Sequence, residues 1–355
     1  MEEHFIRLFD RHHTLLAELY DICDDLTYSW TLDDIANLTV SIPLEHPLCT
    51  PENLQFTNHV EVVGCASNVL IWGGILMGQE FHDGCVQITC SDYTVLLKYR
   101  RLRAKIYPPL DYGTLLQQMI TDTEAAQANF PLGITDYLID RGALQTSKEV
   151  KNNELLWDKL KEFCAEMNYD CWLDEARRFH FWLRKGIDKS HYHLEWGGDY
   201  DNILAAPQLS RDIKTLANLV YTDATVQDGK NTMVYWAETR DTVSEEKYGL
   251  FEEYVTPSST EKEQALLDIL VNSTLQRTSI PADTITVTAA DTALCPFSDL
   301  ETGDHITLQL FPYFNYTANA RILQMKHTEK TQTRQFTLGN LLLKPQAPQM
   351  HLYHT

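Results

Sequence analysis

At 355 residues, 44% of them hydrophobic, the chain is long enough for two or three domains with cores of their own. Its 50 Asp and Glu outnumber 29 Lys and Arg, and the formal charge of −21 speaks against tight binding of nucleic acid, which relies on Lys and Arg to release counterions from phosphate. No stretch approaches the ~20 apolar residues of a membrane-spanning helix, and MEEHFIRLFD lacks the basic-then-apolar pattern of a secretory leader, so neither a membrane anchor nor export is expected.

The first hundred residues read as β structure. His4, Ile6 and Leu8 alternate with Phe5, Arg7 and Phe9, and Leu38, Val40 and Ile42 alternate with Thr39 and Ser41. Val60, Val62 and Val63 precede the turn CASN, VLIWGGIL (69–76) supplies the next strand, and the turn FHDG leads into CVQITCSD with Val86 and Ile88 on one face. Gly73 and Gly74 are followed by Ile75, Leu76 and Met77 rather than by Lys and Ser or Thr. The pair therefore reads as a bend or a close backbone approach in a strand, and not as a phosphate loop.

From residue 106 the pattern changes. IYPPLDYG reads as a linker, and Leu115, Leu116, Met119 and Ile120 then fall at helical spacing behind an Asp111 cap. Leu156, Leu160, Phe163, Cys164 and Met167 mark a second helix, and YDCWL and RFHFWLRK flank the turn DEAR as a hairpin. After GGDYDN, residues 202–224 and 231–241 read as long strands, the first ambiguous between strand and helix. Thr260 and Glu263 have capping-box spacing before a helix through Leu266 and Leu270. DTITVTAAD, HITLQL, ARILQMKH and RQFTLGNLLL close the chain as strands.

The pattern predicts an α+β fold, predominantly β, with two small antiparallel barrels flanking an inserted α/β unit. The expected divisions are 1–105 for the first barrel, 106–200 for the insertion, 201–345 for the second barrel with one helix, and 346–355 for an extended tail.

Chemistry is sparsely signalled. Cys23, Cys49, Cys65, Cys85, Cys90, Cys164, Cys171 and Cys295 are scattered, as free thiols of a reducing cytoplasm would be. His191 and His193 share a strand face, but Cys85-x4-Cys90 and Cys164-x6-Cys171 do not match zinc spacing. There is no Gly-x-Ser-x-Gly elbow and no HExxH helix. Acid pairs such as Asp24–Asp25 and Glu252–Glu253 carry no signal in so acidic a chain. No catalytic, cofactor-binding or metal-binding residue is nominated, and no enzyme activity or cofactor is expected.

Several phrases, in order, resemble the tail hub and tail-tip (baseplate hub) proteins of tailed phages. LYDICDDLTYSWTLDDIANLTVSIPLEHP is similar to the family's opening, and VEVVG, IWGGIL and VQITCSDYTVLLKYR to the strands that follow. GGDYDNILAAPQLSRDIKTLANLVY resembles the re-entry into a second barrel, DTVSEEKYGLFEEYVT centres on Tyr248-Gly249, and LETGDHITLQL with ARILQMKHTE resembles the last hairpins. The resemblance implies a non-enzymatic homotrimer whose six barrels form a pseudo-sixfold ring at the tail tip of the virion, assembled in the bacterial host cytoplasm. Its implied partners are the distal tail and tail tube proteins, the tape measure protein, and tail fibre or receptor-binding proteins, with DNA passing without specific binding. The chain lacks the long C-terminal region of many such proteins, which implies a bare hub.

Two other readings remain open at this point. One is a distal tail or fibre-adaptor component, usually hexameric. The other is a carbohydrate-binding or cell-wall-degrading protein using Trp157, Trp172, Trp182 and Trp196.

Overall fold

The computed structural model describes residues 3–20, 25–127, 132–141, 145–228, 231–257, 264–313 and 315–339. The tail 346–355, Cys23, Asp24 and the Thr260–Glu263 capping box lie outside them.

The first part holds β1 (His4–Phe9), β2 (Leu15–Leu19), β3 (Thr27–Thr31), β4 (Asn37–Pro43), β5 (His59–Gly64), β6 (Leu70–His82), β7 (Cys85–Asp92) and the short helix α1 (Thr94–Lys98). Strict alternation turns Leu38, Val40 and Ile42 of β4 and Val86, Ile88 and Cys90 of β7 inward. All seven strands contribute to one core with Ile6, Leu19, Tyr28, Val62 and Trp72, so this half of the sheet curls around its own apolar face.

The inserted unit comprises β8 (Lys105–Asp111), α2 (Tyr112–Ala125), β9 (Asp136–Ile139), β10 (Gln145–Val150), α3 (Leu156–Met167), β11 (Asp170–Leu173) and β12 (Arg178–Trp182). Asp111 caps α2 by accepting from the Thr114 amide at 2.8 Å, as its sequence position suggested. The expected hairpin forms as β11–β12, with β9 added in parallel. IYPPLDYG is no linker: it lies largely in β8, antiparallel to β10. The register shifts between Thr146 and Lys148, opposite Pro108 and Pro109, which cannot donate to the ladder.

The remainder is β13 (Asp188–Trp196), β14 (Gln208–Asp212), β15 (Leu219–Asp228), β16 (Asn231–Arg240), α4 (Thr242–Tyr248), β17 (Glu252–Tyr254), α5 (Gln264–Thr278), β18 (Ala282–Ala290), β19 (His305–Leu310), β20 (Tyr316–Thr328) and β21 (Thr333–Gly339). The single long strand expected over 202–224 is broken. Its first piece, β14, joins β18, and β15 belongs to a separate sheet, β16-β15-β17, packed on α5. Strand β13, within the span read as the insertion, pairs with β19.

The expectation of two separate small barrels is corrected. One 13-stranded sheet runs β14-β18-β21-β20-β3-β4-β7-β6-β5-β1-β2, with β19 and β13 branching from β20, and no closed barrel forms among the described residues. The physical reason lies in β20. It is 13 residues long, so it pairs with β19 along its first half and with both β21 and β3 along its second. Trp30 of β3 packs against the cores of both halves, which ties the pairing to burial.

Candidate functional site

The three parts of the molecule converge on the Trp72-Gly73-Gly74 segment of β6. Trp72 is buried and its Nε1 donates to the Ser29 carbonyl at 3.0 Å, crossing the core to β3. A Cβ on Gly73 would lie 2.9 Å from both the Glu175 carbonyl and the Tyr93 ring. One on Gly74 would lie 2.2 Å from the Ser91 carbonyl and 2.5 Å from the Trp72 ring. The glycines thus permit close approach by β7 and by the β11–β12 turn, as read from the sequence.

Beside them a charged node joins all three parts. Arg321 of β20 donates through Nη2 to Asp170 of β11 at 2.5 Å and to the Lys185 carbonyl at 2.9 Å, and through Nε to the Gly303 carbonyl at 3.2 Å. Asp170 also accepts from the Lys185 amide at 2.5 Å. Asp33, in the turn after β3, accepts from the Cys171 amide at 3.4 Å. Burial, reinforced by Asp170 alongside, holds the Asp33 carboxyl well above the usual range.

The node borders a cavity of about 60 Å³, room for a few waters, lined by Trp30, Trp72, Asp92, Trp172, Glu175 and Lys185. Asp92 accepts from the Ala36 and Thr94 amides, yet desolvation pushes its carboxyl up to about 7. Because this folded value exceeds the ordinary 3.8, the group's contribution to stability is complete below about pH 4 and is lost as pH rises toward 7. Unfolding measured from pH 4 to 8 should therefore show a shallower decline for Asp92→Asn than for the parent. Parallel profiles would remove Asp92 as a cause.

A second cluster lies at the edge of the β3–β20 seam. His4 Nδ1 is 2.6 Å and His327 Nε2 3.0 Å from Glu329 Oε2. The three side chains are 7%, 0% and 9% exposed. Burial would raise Glu329, but hydrogen bonds from His327 and His4 outweigh it and hold the carboxyl at about 2. Burial in turn lowers His327. These residues are 325 positions apart at the extremes; the β20–β3 pairing sets His327 opposite Tyr28, and packing of the His4 ring of β1 on Tyr28 completes the cluster, so no local signal marks them.

The residues weighed from sequence do not assemble. His191 is exposed against Tyr192 on β13, whereas Cys164 and Cys171 are buried in the core of the inserted unit. Among the described residues neither His191 nor His193 joins a group of three ligating atoms. Cys49, Cys65, Cys85, Cys90, Cys164, Cys171 and Cys295 are free thiols. Trp157 of α3 is buried in the core of the inserted unit, Trp172 stacks on His180, Trp196 packs on Tyr313, and Trp182 alone of the four is exposed. Trp157, Trp172 and Trp196 thus each have an internal neighbour to pack against.

The sheet path ends in two strands, β2 and β14, each with one neighbour. On and beside β2, Leu15, Leu16 and Tyr20 are exposed; beside β14, Ile213 is exposed. Open edges carrying apolar side chains are templates for another strand. No helix among the described residues is long and apolar enough to cross a membrane.

No family model and no curated protein matches the sequence. Solved structures match along almost its whole length, and the chain has the fold of prophage tail proteins. It is similar to prophage tail protein gp18 from Listeria monocytogenes EGD-e at 14% identity, TM-score 0.66, covering 97% of this chain and 95% of that one. The 43 kDa tail protein of prophage MuSo2 from Shewanella oneidensis matches at 11% identity and TM-score 0.67, over 97% and 99%. A tail protein from Neisseria meningitidis MC58 matches at 12% identity and TM-score 0.63, over 95% and 96%.

Proposed function

We propose that the chain is a structural, non-enzymatic component of a phage-type tail, and within it the hub at the tail tip of the virion. The observation that carries this reading is the likeness in fold to prophage tail proteins, which takes in nearly all of both chains. The two sheet halves, near residues 1–105 and 201–345 with β13 added to the second, are read as the ring-forming parts. Three copies would present six such halves to a hexameric tube, in contact with distal tail, tube, tape measure and fibre proteins. The open edges β2 and β14 lie at opposite ends of the sheet path, an arrangement suited to head-to-tail closure of a ring. Three copies carry three times −21, and placing those acids along the bore lets DNA pass without adhering.

Native mass measurement of the full chain tests the stoichiometry. The expected mass is three times 40.9 kDa, about 123 kDa, and Leu16→Lys on the β2 edge should shift the population toward monomer. A sixfold mass would favour the distal-tail alternative, and a monomer unaffected by the edge substitution would overturn the ring.

A further inference from the structure

The geometry points to a divalent metal site of the zinc class formed by His4, His327 and Glu329, which pins the first strand of the chain to the turn between β20 and β21. One atom from each side chain lies within 4.8 Å of the other two. Two imidazoles and a carboxylate form a borderline ligand set that suits Zn2+, a d10 ion without geometric demands of its own. Around a tetrahedral zinc at about 2.0–2.1 Å, neighbouring ligand atoms sit roughly 3.3 Å apart. The present spacings of 2.6 and 3.0 Å would have to open by roughly 0.7 and 0.3 Å to reach that separation.

The ligands' chemistry fits as well. Glu329 takes hydrogen bonds from the two histidines and from no Lys or Arg among the described residues. Zn2+ would replace the protons that the imidazoles now direct at the carboxylate, and those protons go to solvent. The fourth position falls to the second Glu329 oxygen or to a water. With all three side chains at most 9% exposed there is little space for a substrate, so the role is structural. One neighbour opposes the ion: Arg334 of β21 stands opposite His327, although its guanidinium turns to the Phe297 carbonyl and the Trp30 and Phe297 rings. His327 Nδ1 has no partner among the described residues, and it stays bare whether Nε2 holds a proton or a metal.

The test uses the full chain, stripped with chelator and dialysed, then titrated with Zn2+ and with Co2+ as a coloured probe. The expected result is one ion per chain, visible Co2+ bands of four-coordinate intensity, and a melting temperature raised by roughly 3 °C or more at saturating Zn2+. Glu329→Gln and His4→Gln each disturb a buried hydrogen bond and should melt somewhat below the parent without metal, yet their own melting temperatures should barely rise with Zn2+, which they should bind about 100-fold more weakly. Six-coordinate Co2+ bands, or binding that survives both substitutions, would assign the ion to other histidines of the thirteen in the chain. Absence of saturable binding would leave a hydrogen-bonded clasp and no metal site. Either result overturns the proposal, and neither bears on the tail-hub reading.

Discussion

Replacing Arg321 with alanine is expected to destabilise the folded chain by about 3–5 kcal/mol, because it strips a buried ion pair of one partner. Arg321 and Asp170 are 4% and 2% exposed, and the guanidinium also serves two backbone carbonyls from different parts of the chain. Without it, Asp170 is left buried beside Asp33, held by the Lys185 amide and by the hydrogen bond that the protonated Asp33 carboxyl gives it. The carboxyl–carboxyl contact has its own signature: Asp33→Asn, which stays neutral at any pH, should recover part of the Arg321→Ala loss where the pH is high enough for Asp33 to ionise beside Asp170. Chemical denaturation of the four variants in that cycle measures both effects. A loss below about 1 kcal/mol for Arg321→Ala would show that the node is incidental to the joint.

The second large effect concerns two glycines of one strand. Gly74→Ala should cost about 2–3 kcal/mol, whereas Gly78→Ala, four residues along β6, should stay within about 0.5 kcal/mol of the parent. A Cβ at 74 would overlap the Ser91 carbonyl of β7 and the Trp72 ring, and a backbone atom cannot swing away. A Cβ at 78 meets only the Thr89 side chain, at 3.5 Å and in ordinary contact. The conformation of neither glycine requires a positive φ, so space alone separates them. Equal effects at the two positions would mean that the close approach of β6 to β7 is not what selects glycine.

Much of the architecture is legible from local pattern. Alternation in 37–43 and 85–92 marks β4 and β7, and the Asp111 cap with Leu115, Leu116, Met119 and Ile120 marks α2. Apolar residues around the DEAR turn mark β11 and β12. These features are legible because side-chain periodicity and caps act over a few residues. Where the reading fails, a distant partner overrides the local signal. Pro108 and Pro109 read as a linker until β10 supplies a ladder with a shifted register around them. The 202–224 stretch reads as one strand until β18 takes its first piece and β16 and β17 its last.

The amino-acid sequence by itself determined the β-rich class, the helical insertion, the strand nature of VLIWGGIL and, through an ordered resemblance, the tail-protein fold. Tertiary structure alone decided that the two halves share a sheet, that Asp33, Asp170 and Arg321 meet, and that His4 finds Glu329. The reason is physical. A strand's own residues set which face is apolar, but its unpaired backbone edge accepts any strand of compatible length and register. Which one wins depends on the burial gained by the whole molecule, as with Trp30 between two cores at the β3–β20 seam.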